Sequence, residues 1–301
     1  MERVNASGER TLLLRVEACM RATAALGRSV QAHDGFTVAI AGAADAAGLA
    51  VAVPTEHEPG AWAPALAAVR TAFAERSLTP RIEYVDELHP GLATAAHALG
   101  WRTSARLPVM VVAAPEPPSS TVPLAAEVRF VRADDEALAE FVRGQQRAYR
   151  AGAREPEDPQ AADITAAPSD DGQRDAAVDD DRDTLAWMAL LRQGMRNGMS
   201  DVVTVSLDGR LVAGASLVRA GDTSELTGVW TSLEMRGRSL ARHACQALLE
   251  HAFAVGDRLV WLSAAPGATR LYAGLGFRPV ARQRNLTYPA APYLSCAGAE
   301  P

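Results

Sequence analysis

The alternation of apolar and polar positions is sharpest in the second half of the chain. "DVVTVSLDGRLVAGASLVRAGDTSELTGVWTS" (201–232) reads as three strands, cut by Asp208-Gly209 and Gly221-Asp222, which suit tight hairpins. A period near 3.6 follows and predicts a helix over about 238–255. Next come a strand in "RLVWLSA", a short helix through "GATRLYAGLG" and strands in "FRPVARQRNLTYP". Strands on both sides of helices predict a mixed α/β sheet.

The first half carries an echo of this text. "HPGLATAAHALGW" (89–101) aligns without gaps to "APGATRLYAGLGF" (265–277), with Pro, Gly, Leu, Gly and a closing aromatic in register. Each segment follows an apolar strand, "IEYV" or "LVWL", and each precedes a pair of strand-like segments. The helices before them, "AAVRTAFAE" and "CQALLEHAFAV", repeat as well. Two related units in tandem are predicted. The Pro/Ser-rich "APEPPSSTVP" (114–123) marks their boundary. It gives a first unit over 1–113, a linker over 114–125, a second unit over 126–290 and a tail over 291–301. Residues 153–183, dense in Asp and poor in large apolar side chains, read as a mobile acidic loop inside the second unit.

Composition narrows the chemistry. The 301 residues carry a formal net charge of −6, with no basic field for wrapping nucleic acid. All thirty basic residues are arginine, which excludes a P-loop lysine and a Schiff-base lysine. Cys19, Cys245 and Cys296 are scattered, without the spacing of a disulfide framework or a structural zinc site. The six histidines show no metal-like clustering, so no metal is expected. No apolar run approaches the roughly 18–20 residues that span a bilayer. These features predict a cytoplasmic protein without nucleic-acid or membrane partners.

One stretch runs against the acidic balance. In "LEMRGRSLARHACQALLEH" (233–251), Arg236, Arg238 and Arg242 crowd the start of the predicted helix, where the dipole disfavours cations. A helix start exposes unpaired N–H groups and attracts anions, and small residues let a phosphate approach the backbone. Arg236, Gly237, Arg238, Ser239, Leu240 and Ala241 form such a loop. It resembles the R/Q-x-x-G-x-G/A signature of the GNAT acyltransferase superfamily, with Ser239 where the family usually has Gly. "ATRLYAGLGF" (268–277) resembles that family's A-x-x-L-Y-x-x-L-G-F segment and lies one strand downstream. The second unit thus looks like one GNAT domain and the first like a degenerate copy. The fold this implies is two tandem GNAT-like domains, each a mixed, mostly antiparallel twisted sheet flanked by helices.

The resemblance also implies a site. Its coenzyme is acetyl-CoA, or another acyl-CoA, with the pyrophosphate in the loop 236–241 and a further contact from Arg270. In the central strand, Val229, Trp230 and Thr231 would line the pantetheine arm, with the Val229 N–H at the thioester oxygen. Glu225 stands where several GNAT enzymes place a catalytic glutamate, and period-two alternation puts Glu225, Thr227 and Val229 on one face. Tyr272 matches the tyrosine that faces the thioester sulfur. The usual Asn is replaced by Ala265.

The chemistry explains these residue types. An alkyl amine with a pKa near ~10.4 is almost wholly protonated at neutral pH, so a base must take its proton before attack. The thiolate leaving group is a weaker base than tyrosinate, so Tyr272 acts best as a hydrogen-bond donor. The first unit lacks these parts. Ala96 stands in register with Tyr272, and Glu56 and Glu58 fall opposite Arg236 and Arg238, where carboxylates would repel a pyrophosphate. The reading is an acetyl-CoA-dependent N-acetyltransferase that acts on an amine of a small molecule or peptide by direct attack. The alternatives are a different acyl group or acceptor, as in natural-product tailoring, or a coenzyme-binding regulatory protein without turnover.

Overall fold

The computed structural model describes residues 6–41, 50–55, 61–113, 126–153, 173–265 and 267–289. Helix α1 (Ala6–Ala25) leads into β1 (Arg28–His33), β2 (Phe36–Ala41), β3 (Val51–Pro54), α2 (Trp62–Ala74) and β4 (Arg81–Val85). A 3-10 turn at Asp86–Leu88, α3 (Leu92–Ala98) and β5 (Arg102–Val112) close the first half. The second half runs β6 (Ala126–Phe130), α4 (Ala137–Ala153), α5 (Gln173–Arg196), β7 (Ser200–Leu207), β8 (Arg210–Ala220) and β9 (Thr223–Thr231). It ends with α6 (Leu240–Ala254), β10 (Leu259–Ser263), α7 (Thr269–Ala273) and β11 (Arg278–Thr287).

The described strands form one sheet in the order β1-β2-β3-β4-β11-β5-β10-β9-β8-β7-β6. Pairing is antiparallel except for β3 with β4 and β9 with β10, one parallel pair in each half. The mixed, mostly antiparallel sheet expected from the sequence is what the chain forms. Alternation along the strands sorts the core into two layers. Val260 and Leu262 of β10 pack with α6 and α7, whereas Trp261 between them packs with α1. Helices α2 and α3 share the first layer, and α4 and α5 share the second. Helix α6 buries Leu240, Ala244, Cys245, Leu248, Leu249 and Ala252, an apolar stripe at helical spacing.

Two expectations change. The text after each echo segment was read as a pair of strands, yet each supplies one long strand. The second comes from the other half: β11 lies between β4 and β5, and β5 lies between β11 and β10. A strand's backbone needs partners along both edges, and this exchange covers both ends of what would otherwise be two separate sheets. The acidic stretch is also not all loop, because residues 173–183 already belong to α5. Acidic residues favour the start of a helix through its dipole. Residues 154–172, the linker 114–125, the tail 291–301, and Glu56 and Glu58 lie outside the described residues.

The echo itself survives at the level of hydrogen bonds. After α3, Leu99 and Trp101 N–H bond Ala96 C=O, and Gly100 N–H bonds His97 C=O. After α7, Leu275 and Phe277 N–H bond Tyr272 C=O, and Gly276 N–H bonds Ala273 C=O. The two turns are the same turn.

Candidate active site

Strands β9 and β10 pair only at Thr223–Leu259, Ser224–Val260 and Glu225–Trp261. Beyond that point β9 stays with β8 and β10 stays with β5, so the two strands part and leave a gap. Ser232 N–H bonds Val212 C=O of β8. Alternation then turns the backbone of Trp230 toward β8 and that of Val229 and Thr231 toward the gap. The structure does not bring Trp230 to the gap. Its indole is buried against Phe141, with ring centroids 6.3 Å apart, in the layer of α4.

The side-chain alternation along β9 breaks at Gly228. Ser216 faces Thr227, but Gly214 faces Trp230, so β9 carries one extra residue, a β-bulge. Gly228 has φ +62°, and a Cβ there would lie 2.5 Å from Ser216 Oγ. Glu225 and Thr227 therefore share a face with the α1 and α4 layer, while Val229 packs against the α6 layer. The expected common face for Glu225, Thr227 and Val229 does not hold. The extra residue shifts the period by one and puts the carboxylate on one side of the sheet and Val229 on the other.

Glu225 is partly buried, and burial raises its pKa to about 7. A hydrogen bond from Thr23 and the charge of Arg28 oppose this shift, and the charge of Glu83 adds to it. Thr23 Oγ1 lies 2.8 Å from Glu225 Oε2 and 3.1 Å from Met20 C=O. With a single proton, Thr23 donates to the ionised carboxylate. It turns to Met20 C=O when Glu225 is protonated and becomes the donor. The hydroxyl thus serves both states of a group that titrates near neutrality.

Tyr272 is buried on α7 and packs edge-on to Phe277, at 6.0 Å. Burial raises its pKa, with smaller contributions from Cys245 and Tyr149, so its hydroxyl stays protonated and can only donate or accept a hydrogen bond. Tyr149 of α4 was not among the expected site residues. Its side chain is half-exposed; desolvation and the charge of Glu225 raise its pKa, against a hydrogen bond from Gln145. Nothing in the local text "RAYRAG" marks Tyr149, and Thr23 lies 202 positions from Glu225.

The loop before α6 keeps its donors available. Leu240, Ala241 and Arg242 N–H bond no backbone carbonyl among the described residues, and the first bond of the helix runs from His243 N–H to Ser239 C=O. Gly237, Arg238 and Ser239 are exposed, and Arg236 and Arg238 form no ion pair among the described residues. Ser239 is left-handed, with φ +59°, which explains why glycine suits this position and serine strains it. Leu240 is buried and offers only its N–H. Arg270 is exposed on α7. Arg242 is committed elsewhere, because its Nη2 donates to Gly274 C=O at 2.6 Å and ties α6 to α7. These groups fit a pyrophosphate: unpaired N–H donors at a helix start, two unpaired guanidiniums and small side chains.

The matching gap in the first half is filled. Strands β3 and β4 pair only at Ala52–Ile82. Helix α1 then supplies Glu17, which is fully buried and accepts from Val85 N–H at 3.1 Å. Arg21 Nη1 donates to Pro54 C=O at 3.0 Å. His89 Nε2 lies 2.9 Å from Glu17 Oε2. Side chains of α1 thus take backbone groups at the ends of both parting strands.

Comparison with known proteins agrees with this geometry. Residues 163–277 match the profile of the Acetyltransferase (GNAT) family. The structure resembles a GCN5-related N-acetyltransferase from Kribbella flavida at 22% identity, covering 93% of this chain and 96% of the other, with a TM-score of 0.68. It also resembles a GCN5-related N-acetyltransferase from Sphaerobacter thermophilus at 14% identity, covering 93% of each chain, with a TM-score of 0.56. No curated protein matches the sequence. Among the described residues, no helix is long and apolar enough to cross a membrane. The family match supports an acyltransferase that uses an acyl-CoA donor. Residues 163–277 thus match the GNAT acetyltransferase family, within a chain of GNAT fold.

Proposed function

We propose that the chain is an N-acetyltransferase that moves an acetyl group from acetyl-CoA to an amine of a small molecule or peptide, at a single site in the β9/β10 gap. The observation that carries this reading is the parting of β9 and β10 just after Glu225, together with the unpaired N–H groups of the loop before α6. The coenzyme supplies an activated acyl carbon and a thiolate leaving group. Glu225 takes the proton of the attacking ammonium, directly or through water, and is about half ionised near pH 7. As the C–N bond forms and the C–S bond breaks, the Tyr272 hydroxyl donates a hydrogen bond to the sulfur. Val229 N–H stabilises the oxygen, Val229 and Thr231 backbone groups hold the arm, and residues 236–241 hold the pyrophosphate. We read residues 1–113 as a scaffold copy and residues 126–290 as the catalytic domain.

A panel of acyl-CoA thioesters with small amines and peptides, read by thiol release, tests the activity. Acetyl-CoA with at least one amine should give turnover. Calorimetry should give one coenzyme per chain, abolished by Arg238→Glu. Tight binding without thiol release across the whole panel would replace the enzyme with a coenzyme-binding regulatory protein. A stoichiometry of two would remove the scaffold role of the first half.

A further inference from the structure

A pocket of about 440 Å3 opens on the α3 face of the first half, apart from the β9/β10 gap. Both halves build it. Asp86 and Glu87 come from the turn after β4, Arg106 from β5, and Arg282 and Arg284 from the exchanged strand β11. Arg284 grips Asp86 with two bonds, Nε to Oδ1 at 2.8 Å and Nη2 to Oδ2, so that carboxylate is neutralised. Glu87 Oε2 accepts the main-chain N–H of Arg282 at 3.0 Å. The guanidiniums of Arg106 and Arg282 form no ion pair among the described residues. Arg106 stands directly opposite Arg284 across the β5/β11 ladder, a pairing of like charges that a sheet ordinarily disfavours.

Beneath these arginines lies Tyr84, fully buried in β4, with its hydroxyl lacking a hydrogen-bond partner. Asp86 is close enough to affect that hydroxyl, but both its oxygens are held by Arg284, and no well-formed bond joins the two. Tyr84 stands directly opposite Arg284 across the β4/β11 ladder, which puts the two side chains on the same face of the sheet. An unpartnered buried donor is costly and rare, and it points to a group that completes it.

We propose that this pocket binds a small molecule through a carboxylate or phosphate group, with Arg106 and Arg282 pairing the oxyanion and the Tyr84 hydroxyl donating from below. Guanidiniums recognise both groups through paired N–H donors. The acids Asp86 and Glu87 keep the net field small, which suits a compact ligand rather than an extended polyanion.

The test is calorimetry of the full chain with citrate and, separately, inorganic phosphate at low ionic strength. At least one should bind saturably at one site, and which one binds identifies the oxyanion. Arg106→Gln with Arg282→Gln should weaken that binding by about tenfold or more, since charge-assisted pairs are lost. Tyr84→Phe should weaken it several-fold. If Tyr84→Phe lowers the melting temperature, the two exposed arginines still decide the outcome. Arg236→Gln with Arg238→Gln, in the loop before α6, should leave it unchanged. Absence of saturable binding by either probe would overturn the proposal. So would binding that persists without Arg106 and Arg282, or that vanishes without Arg236 and Arg238.

Discussion

The chain contains two gaps of the same construction, each made where a parallel strand pair separates, and they have opposite contents. Between β9 and β10 the strands part after Glu225, and the loop before α6 leaves its N–H groups without backbone partners. Between β3 and β4 the strands part after Ala52–Ile82, and Glu17 and Arg21 of α1 bond Val85 N–H and Pro54 C=O. One helix serves both places: α1 plugs the first gap and, six residues after Glu17, holds Glu225 through Thr23. The same parallel-strand arrangement is thus closed by protein side chains in one half and left open in the other. Buried backbone groups must be satisfied, and where no ligand does so the protein itself must.

The largest expected effect separates the gaps by chemistry. Tyr272→Phe keeps the ring against Phe277 and removes the hydroxyl. It should lower kcat by roughly 10- to 1000-fold while acetyl-CoA affinity in calorimetry moves little. Equal losses in kcat and in affinity would show that the hydroxyl holds the ground state rather than the transition state.

Glu225→Gln should cost about 10- to 100-fold at neutral pH. In the wild type, kcat/KM should rise as pH passes about 7, because the base must be ionised; in the variant that step should vanish and the defect should shrink at high pH. The stability sign runs the other way. A carboxylate whose folded pKa is raised binds protons more strongly when folded, so wild-type stability should fall as pH climbs from the ordinary carboxylate range through about 7. Chemical denaturation across that window should show the fall in the wild type and not in Glu225→Gln.

The plug gives a smaller effect on a different readout. Glu17→Ala leaves Val85 N–H and His89 without their acceptor in the core and should cost about 1–3 kcal/mol in denaturant melts. Coenzyme stoichiometry should stay at one, because in the alignment of the halves Glu56 and Glu58 fall opposite Arg236 and Arg238, where carboxylates would repel a pyrophosphate. A second bound coenzyme in this variant would mean that the plug alone distinguishes the two gaps.

The smallest effect concerns the left-handed serine. Ser239→Gly relieves a conformation that costs an L-residue about 1–2 kcal/mol, part of which the freer unfolded chain takes back. A gain of about 0.5–1 kcal/mol in denaturant melts with an unchanged coenzyme Kd is the expected result. A weaker Kd would assign the Ser239 hydroxyl a contact of its own.

The sequence by itself determined the order of elements over about 201–280 and the place of the loop before α6, because hairpin dipeptides, helical periodicity and an arginine-flanked turn are all local. It also disclosed the echo between 89–101 and 265–277, since the same residues make the same turn in both copies. It did not disclose which strand completes which half, because β5 and β11 pair equally well with either neighbour as text and differ only in the sheet that receives them. Nor did it place Thr23 beside Glu225, or Val229 on the face opposite Glu225. The first meets Glu225 through packing across distant segments, and the second depends on one extra residue at Gly228. Short-range pattern specifies local shape; the partners of a buried polar group are set by the fold that surrounds it.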